Sequence, residues 1–163
     1  MASTSAASKA TSTIGGEFEQ VAALFGGPNI LKHSLSNQIE AHEMIVQGIP
    51  GRALEKFLAR LQIINLADNA FESALGMSER TFQRYKSDHT RTLNTEQSSR
   101  TWNFARTLTK ATSVFGSQAE AERWMMQPAM GLDNRRPIDL LATAAGSELV
   151  QEFLDRLDYG VYA

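Results

Sequence analysis

The sequence predicts an all-α fold, and three observations carry the prediction. Apolar residues recur at i, i+3, i+4 and i+7 along most of the chain. Capping residues and glycine or proline stops punctuate these stretches where helices should begin and end. Nowhere do β-branched residues alternate with a period of two, so no sheet is expected.

The elements run in order. Residues 1–16 (MASTSAASKATSTIGG) hold one isoleucine among Ser, Thr, Ala and Gly, too little apolar surface to offset chain entropy, and read as a disordered tail. Structure is expected from about residue 17, with Phe18, Val21, Leu24 and Phe25 stopped by Gly26-Gly27-Pro28. A second helix is expected from Ser36 to Gln47, with Ile39, His42, Ile45 and Val46 on its face. After Gly48-Ile49-Pro50, with Pro50 in a first turn, Leu54, Phe57, Leu58 and Leu61 form a core stripe. Asn65 is the expected cap of the next helix (Ala67, Ala70, Phe71, Ala74, Leu75), Gly76 its left-handed stop, and Ser78 the cap of the one after. A long helix spans Thr95 to Phe115, with Phe104, Leu108, Ala111 and Phe115 on one side. Ser117 to Glu120 reads as a capping box opening a helix with Ala121 and Trp124. A loop from Met130 to Arg136, a short helix after Pro137, and a last helix capped by Ser147 (Val150, Phe153, Leu154, Leu157) complete the chain.

Composition bounds what such a fold can do. The chain has 163 residues, 42% hydrophobic and 21% charged, ordinary for one core or two small adjoining ones. No stretch approaches the roughly 18 apolar residues of a membrane span, and no secretory signal is recognised. There is no cysteine, which excludes disulfides, thiolate metal sites and a cysteine nucleophile. A cytoplasmic location is expected. The net charge of −2 hides a gradient: residues 49–100 carry eight basic and six acidic side chains, whereas residues 1–48 carry two and four, and residues 101–163 six and eight. Only the middle is cationic, so DNA binding there would be stronger in a dimer, where phosphate contacts add.

The stretch with recognisable chemistry is Asp68 to Tyr85, DNAFESALGMSERTFQRY. It reads as a helix-turn-helix: Gly76 supplies the turn, and Phe71, Leu75, Met77, Phe82 and Tyr85 lock the two helices. Ser78, Arg80, Thr81, Gln83, Arg84 and Lys86 are then the candidate DNA contacts, residue types that pair with bases and phosphates. Glu72 departs from the pattern, because the fifth position of this motif is usually small. The competing reading is an ordinary helical corner. His33, His42 and His89 have no ligand spacing, and no nucleophile–base constellation is apparent, so neither metal, cofactor nor enzymatic activity is expected.

Beyond the corner, the chain resembles the Xre/MbcA/ParS-like antitoxins, partners of RES-domain toxins. The resemblance covers about residues 18 to 163. It is carried by Val21 to Gly27, Gly48-Ile49-Pro50, Ser78 to Thr81, Leu93, Ser98, Arg100, Val114-Phe115-Gly116, Ala121 and Trp124. Its most specific parts are Pro137 to Thr143 with Gly146, and the ending Asp158-Tyr159-Gly160-Val161-Tyr162-Ala163. Two departures are Asn134, near a usual glycine, and Tyr85, in place of a frequent basic residue.

The resemblance implies an N-terminal Xre/Cro-like helix-turn-helix domain (17–94) and a small helical toxin-binding domain (95–163). It implies a non-enzymatic antitoxin that dimerises, represses its operon at operator DNA, and covers the active site of an NAD-consuming toxin within a larger complex. The implied toxin contacts are Leu132, Asn134, Arg135, Arg136, Asp158, Tyr159, Gly160, Val161, Tyr162 and Ala163. Arg135 and Arg136 are equally readable as solvated, and Trp124, Leu140 and Leu141 as core. The alternative function is a one-component regulator whose C-terminal domain senses a ligand or dimerises.

Overall fold

The computed structural model describes residues 16–160. Residues 1–15 of the expected tail, and Val161, Tyr162 and Ala163, lie outside the described residues. Gly16, expected in the tail, is already helical.

Ten α-helices and one 3-10 turn make up the described chain, with no strand among these residues. They are α1 (16–24), α2 (Pro28–Leu31), α3 (Gln38–Gln47), α4 (Gly51–Arg60), α5 (Asn69–Leu75), α6 (Glu79–Ser87), α7 (Thr95–Phe115), α8 (Gln118–Met125), α9 (Pro137–Leu140) and α10 (Ala144–Asp158). The 3-10 turn is Met130–Leu132. Two isolated bridges, Pro50 to Thr92 and Ala129 to Arg135, pin loops together.

α7 is the spine. It packs against α3 and α5, and against α8 and α10, burying Trp102, Phe104, Ala105, Leu108 and Ala111. A chain of ring contacts leads outward from it: Phe25 to Phe57 at 5.2 Å, Phe57 to Phe104 at 6.0 Å, Phe104 to Phe71 at 5.3 Å and Phe71 to Phe82 at 5.7 Å. Such pairs contribute about 0.5–1.5 kcal/mol each beyond area burial. The last link sets the position of α6, because Phe82 is the side chain that anchors that helix to the core.

Several local expectations shift. In α3 the buried face is Ala41 and Met44, whereas Ile39 and Val46 are 71% and 55% exposed. Ala41, Met44 and Ile45 have the same helical spacing as the expected set, and it is their stripe that meets α7. Ala67 is exposed, and Asp68, not Asn65, caps α5: its Oδ1 accepts the Ala70 N–H at 2.8 Å. Asn65 instead closes a turn, accepting from the Ala67 N–H. Pro50 stands just before α4 as its cap residue. α10 starts four residues earlier than expected: Thr143 caps it through the Gly146 N–H, and Ser147 is a buried interior residue. Ser117 does accept from Glu120 N–H, but the Glu120 carboxylate turns to Arg123. A complete capping box instead opens α7, where Asn94 and Gln97 exchange bonds.

Candidate functional site

The corner is built as a helix-turn-helix requires. α5 ends at Gly76, whose φ of 67° is left-handed and where an added Cβ would stand 3.0 Å from Arg100 Cδ. Arg100 reaches over the turn from α7 and donates to the Ser73 carbonyl at 2.8 Å. Phe71, Ala74, Leu75, Met77 and Phe82 are all buried. Glu72 has a purpose here: its Oε1 accepts the Glu79 N–H at 2.9 Å, closing the turn from the side chain. A small residue at that position could not do so. Tyr85 likewise is structural, its ring against Gly51 and its hydroxyl donating to Gln97 Oε1 at 2.9 Å.

The six candidate DNA contacts separate into three groups. Ser78 and Thr81 cap α6: Ser78 Oγ accepts the Thr81 N–H at 3.3 Å and lies 3.1 Å from Thr81 Oγ1. Arg80, Gln83 and Arg84 are exposed, and at about 100° per residue they share, with Ser87, the face opposite Phe82. Lys86 lies to the flank, lining an apolar groove between α4 and α6 with Leu54, Leu58, Leu66 and Phe82. The turn after α6 is tightened by Asp88, whose carboxyl is held below its ordinary range, first by the Thr90 hydroxyl and then by the Thr90 N–H.

The candidate toxin contacts are also dispersed. Leu132 is 2% exposed and belongs to the core, so its side chain is not presented at the surface. Asp133 and Asn134 both have left-handed backbones, φ 60° and 58°; asparagine accepts this conformation better than most residues. Arg135 is exposed, its backbone bonded to Ala129. Arg136 is half-buried and held in ion pairs within the chain rather than simply solvated. Its Nε and Nη2 donate to both Asp139 oxygens at 2.9 and 3.0 Å, and its Nη1 lies 3.6 Å from Asp68. The Asp139 hydrogen bond, outweighing desolvation, raises its pKa above the usual guanidinium value. Arg136 therefore clasps α9 to the capping residue of α5. Asp158, Tyr159 and Gly160 are exposed at the end of α10, Tyr159 at 81%.

One residue joining the two halves carries no sequence signal. Glu122 on α8 is fully buried, and its carboxylate accepts the backbone N–H groups of Gln62 (2.9 and 3.0 Å) and Ile63, and the Gln118 side-chain amide at 3.0 Å. It holds the segment between α4 and α5 against α8. Nothing in the spacing of Glu122 distinguishes it from a solvated helix glutamate; only the fold brings residues 62–64 to it.

Comparison with known proteins matches two successive parts of the chain, meeting within α7. Residues 40–106 match the Antitoxin Xre-like helix-turn-helix domain, and residues 110–160 match the Antitoxin Xre/MbcA/ParS C-terminal toxin-binding domain. The chain is also similar to a protein named Antitoxin Xre from Yersinia enterocolitica serotype O:8 / biotype 1B (strain NCTC 13174 / 8081), 33% identical over 91 residues. That alignment covers 55% of this chain and 61% of the Yersinia protein, so the likeness spans about three fifths of the relative's length. With a helix-turn-helix closed at Gly76 and followed by a second helical module, and each module matched in order, the chain belongs to the Xre/MbcA/ParS-like antitoxin family.

Proposed function

We propose that this chain neutralises a cognate RES-domain, NAD-consuming toxin by covering its active site, and represses its own operon by laying α6 in the major groove of operator DNA. The observation that carries the reading is the polar outer face of α6, with Arg80, Gln83 and Arg84 on a rigid corner, next to a separate helical module with an exposed end. Arg80 and Arg84 supply charge-assisted contacts to guanine or phosphate, and Gln83 suits adenine. Ser78 and Thr81 orient the helix, and Lys86 reaches phosphate from its flank. In the second module, Arg135, Asn134 and Asp158 to Ala163 face the toxin, with Tyr159 supplying a large, low-entropy contact. The functional boundary falls near residue 94, and α7 serves both sides. The chain performs no chemistry of its own and acts in the cytoplasm.

Two copies pair through residues of about 17–65. The exposed Ile39 and Val46 on α3, beside a groove lined by Phe18, Ile45 and Trp102, support this. Pairing would set two α6 helices on half-sites about one helical turn apart. Val46→Glu should then give a monomer in sedimentation without toxin; a dimer unaffected by it refutes pairing through α3.

Inhibition is tested by deleting Asp158 to Ala163 and measuring NAD turnover of the copurified complex. Turnover should return while the complex persists, because broad apolar burial holds it and only the end plugs the pocket. Full suppression by the truncated chain would move the plug to the loop of Gly131 to Arg136.

A further inference from the structure

Three half-buried rings form a row on the second module. Phe115 and Trp124 lie 5.1 Å apart, and Trp124 and Phe153 stack at 6.0 Å with planes 2° from parallel. The backbone of Gly131 closes the row: a Cβ there would stand 2.1 Å from Phe153 Cε2, so only glycine brings the 3-10 turn this close. The residue before that glycine, Met130, is 87% exposed. One turn before Phe153 on α10, Leu149 is 43% exposed. Isolated apolar residues on a surface need no explanation. A tryptophan, two phenylalanines and a methionine raised on a glycine turn form a set with Leu149 on the adjacent turn of α10, and aromatic residues and methionine are enriched where interfaces bury their centre.

The surroundings say what kind of partner fits. Residues 118–160 hold eight acidic and four basic side chains; Glu120, Asp139, Glu152 and Asp155 pair with Arg123, Arg136, Arg156 and Lys110, and Glu122 is buried, which leaves Asp133, Glu148 and Asp158 as exposed acids outside these pairs. Asp158 stands in the last turn of α10, where a negative charge opposes the helix dipole. Arg156 in the same turn offsets part of that cost, and a cationic partner would offset the rest. The patch also continues, along α10, into the exposed Asp158-Tyr159-Gly160 end.

We infer that the toxin is gripped by the Met130–Phe153–Trp124 surface, which enters an apolar recess bordered by lysine or arginine on the toxin. This rests on the antitoxin reading proposed above and deepens it, because it separates a grip from the plug at the chain's end. Met130 is the residue to change, since its exposed side chain bears little on folding.

The test measures affinity of the full-length chain for the protein encoded by the adjacent reading frame. Met130→Ala should weaken binding about tenfold and Met130→Arg more than a hundredfold, with thermal unfolding unchanged. Affinity should also fall as salt rises from low to high ionic strength. Binding of the Met130→Arg chain within twofold of the original overturns the grip and leaves the antitoxin reading standing. An original chain that does not hold this protein at all overturns both. If Met130→Arg instead splits a dimer of the free chain and spares toxin affinity, the surface joins two copies and the inference is wrong.

Discussion

α6 and α10 are built alike and dressed oppositely. Each buries an apolar stripe, Phe82 in α6 and Val150 with Leu154 in α10, and each leaves a polar face to solvent. α6 carries three bases and one acid, whereas α10 carries four acids and one base. Helix formation does not demand this difference, since either sign serves a solvated face. Asp158 in the last turn of α10 opposes its dipole, which Arg156 in the same turn offsets in part. The two faces therefore carry opposite formal charge, the cationic one on the helix proposed to meet DNA and the acidic one on the module proposed to meet a toxin. The chain's net charge of −2 averages two separate electrostatic surfaces and describes neither.

The contrast depends on a frame that holds both faces in fixed relation, and Glu122 is its most vulnerable part. Glu122→Ala strips an acceptor from the backbone N–H groups of Gln62 and Ile63 in a buried place. The expected loss is about 1–3 kcal/mol for each N–H left buried without an acceptor. Glu122→Gln, which keeps one acceptor oxygen, should lose less than half of that. Urea unfolding monitored by circular dichroism decides it, and equal losses for the two variants would mean that shape rather than the carboxylate matters.

With the frame intact, each face can be disabled alone. Arg80→Ala and Arg84→Ala should each cost about 1–3 kcal/mol in operator binding, roughly 5- to 150-fold, and leave toxin affinity unchanged. A gel shift at fixed salt reads the first effect and titration of the toxin the second. Retained operator binding in both variants would remove α6 from the DNA interface. Gly76→Ala is milder and acts on the corner itself. It forces a left-handed φ on a residue with a Cβ and crowds Arg100, for about 1 kcal/mol or slightly more. The same variant should weaken operator binding more than it lowers stability, because it tilts α6.

How much of the fold and the site is legible in the residues alone depends on the range of the interaction. The corner is legible because Gly76, Ser78 and the Phe71–Phe82 spacing act within one short segment. Caps are legible only as residue types: Asn65 and Ser147 are plausible cappers that stand near the real ones, Asp68 and Thr143. The face of α3 is ambiguous because two stripes have helical spacing, and only docking on α7 selects one. Long-range roles are not legible at all. Arg136 reads as a loop cation, yet the fold brings Asp68, 68 residues earlier, to within 3.6 Å. Glu72 looks like a defect until Glu79 supplies its partner.

The smallest expected effect concerns the lead into α3, on the helix that bears the proposed pairing face. The Glu40 carboxylate accepts the Ser36 N–H at 2.6 Å and the Ser36 hydroxyl at 2.9 Å, while Asn37 caps the helix through the Glu40 N–H. These bonds, the Ser36 backbone bond first, hold the Glu40 carboxyl below its ordinary value. A carboxyl depressed in the folded state stabilises it wherever the group is ionised in both states, above the usual glutamate range near pH 4.3. That contribution fades as pH falls from there through the lowered folded value. Glu40→Gln should therefore be slightly less stable than the original chain at pH 7, and the gap should close towards pH 3. Because the site is solvent-exposed, the difference will be small, so parallel unfolding titrations of both chains across pH 3–7 are needed. A gap that stays constant with pH would mean that the side chain supports α3 by packing and not by its charge. The proposed pairing face would then owe nothing to the charge of this carboxylate.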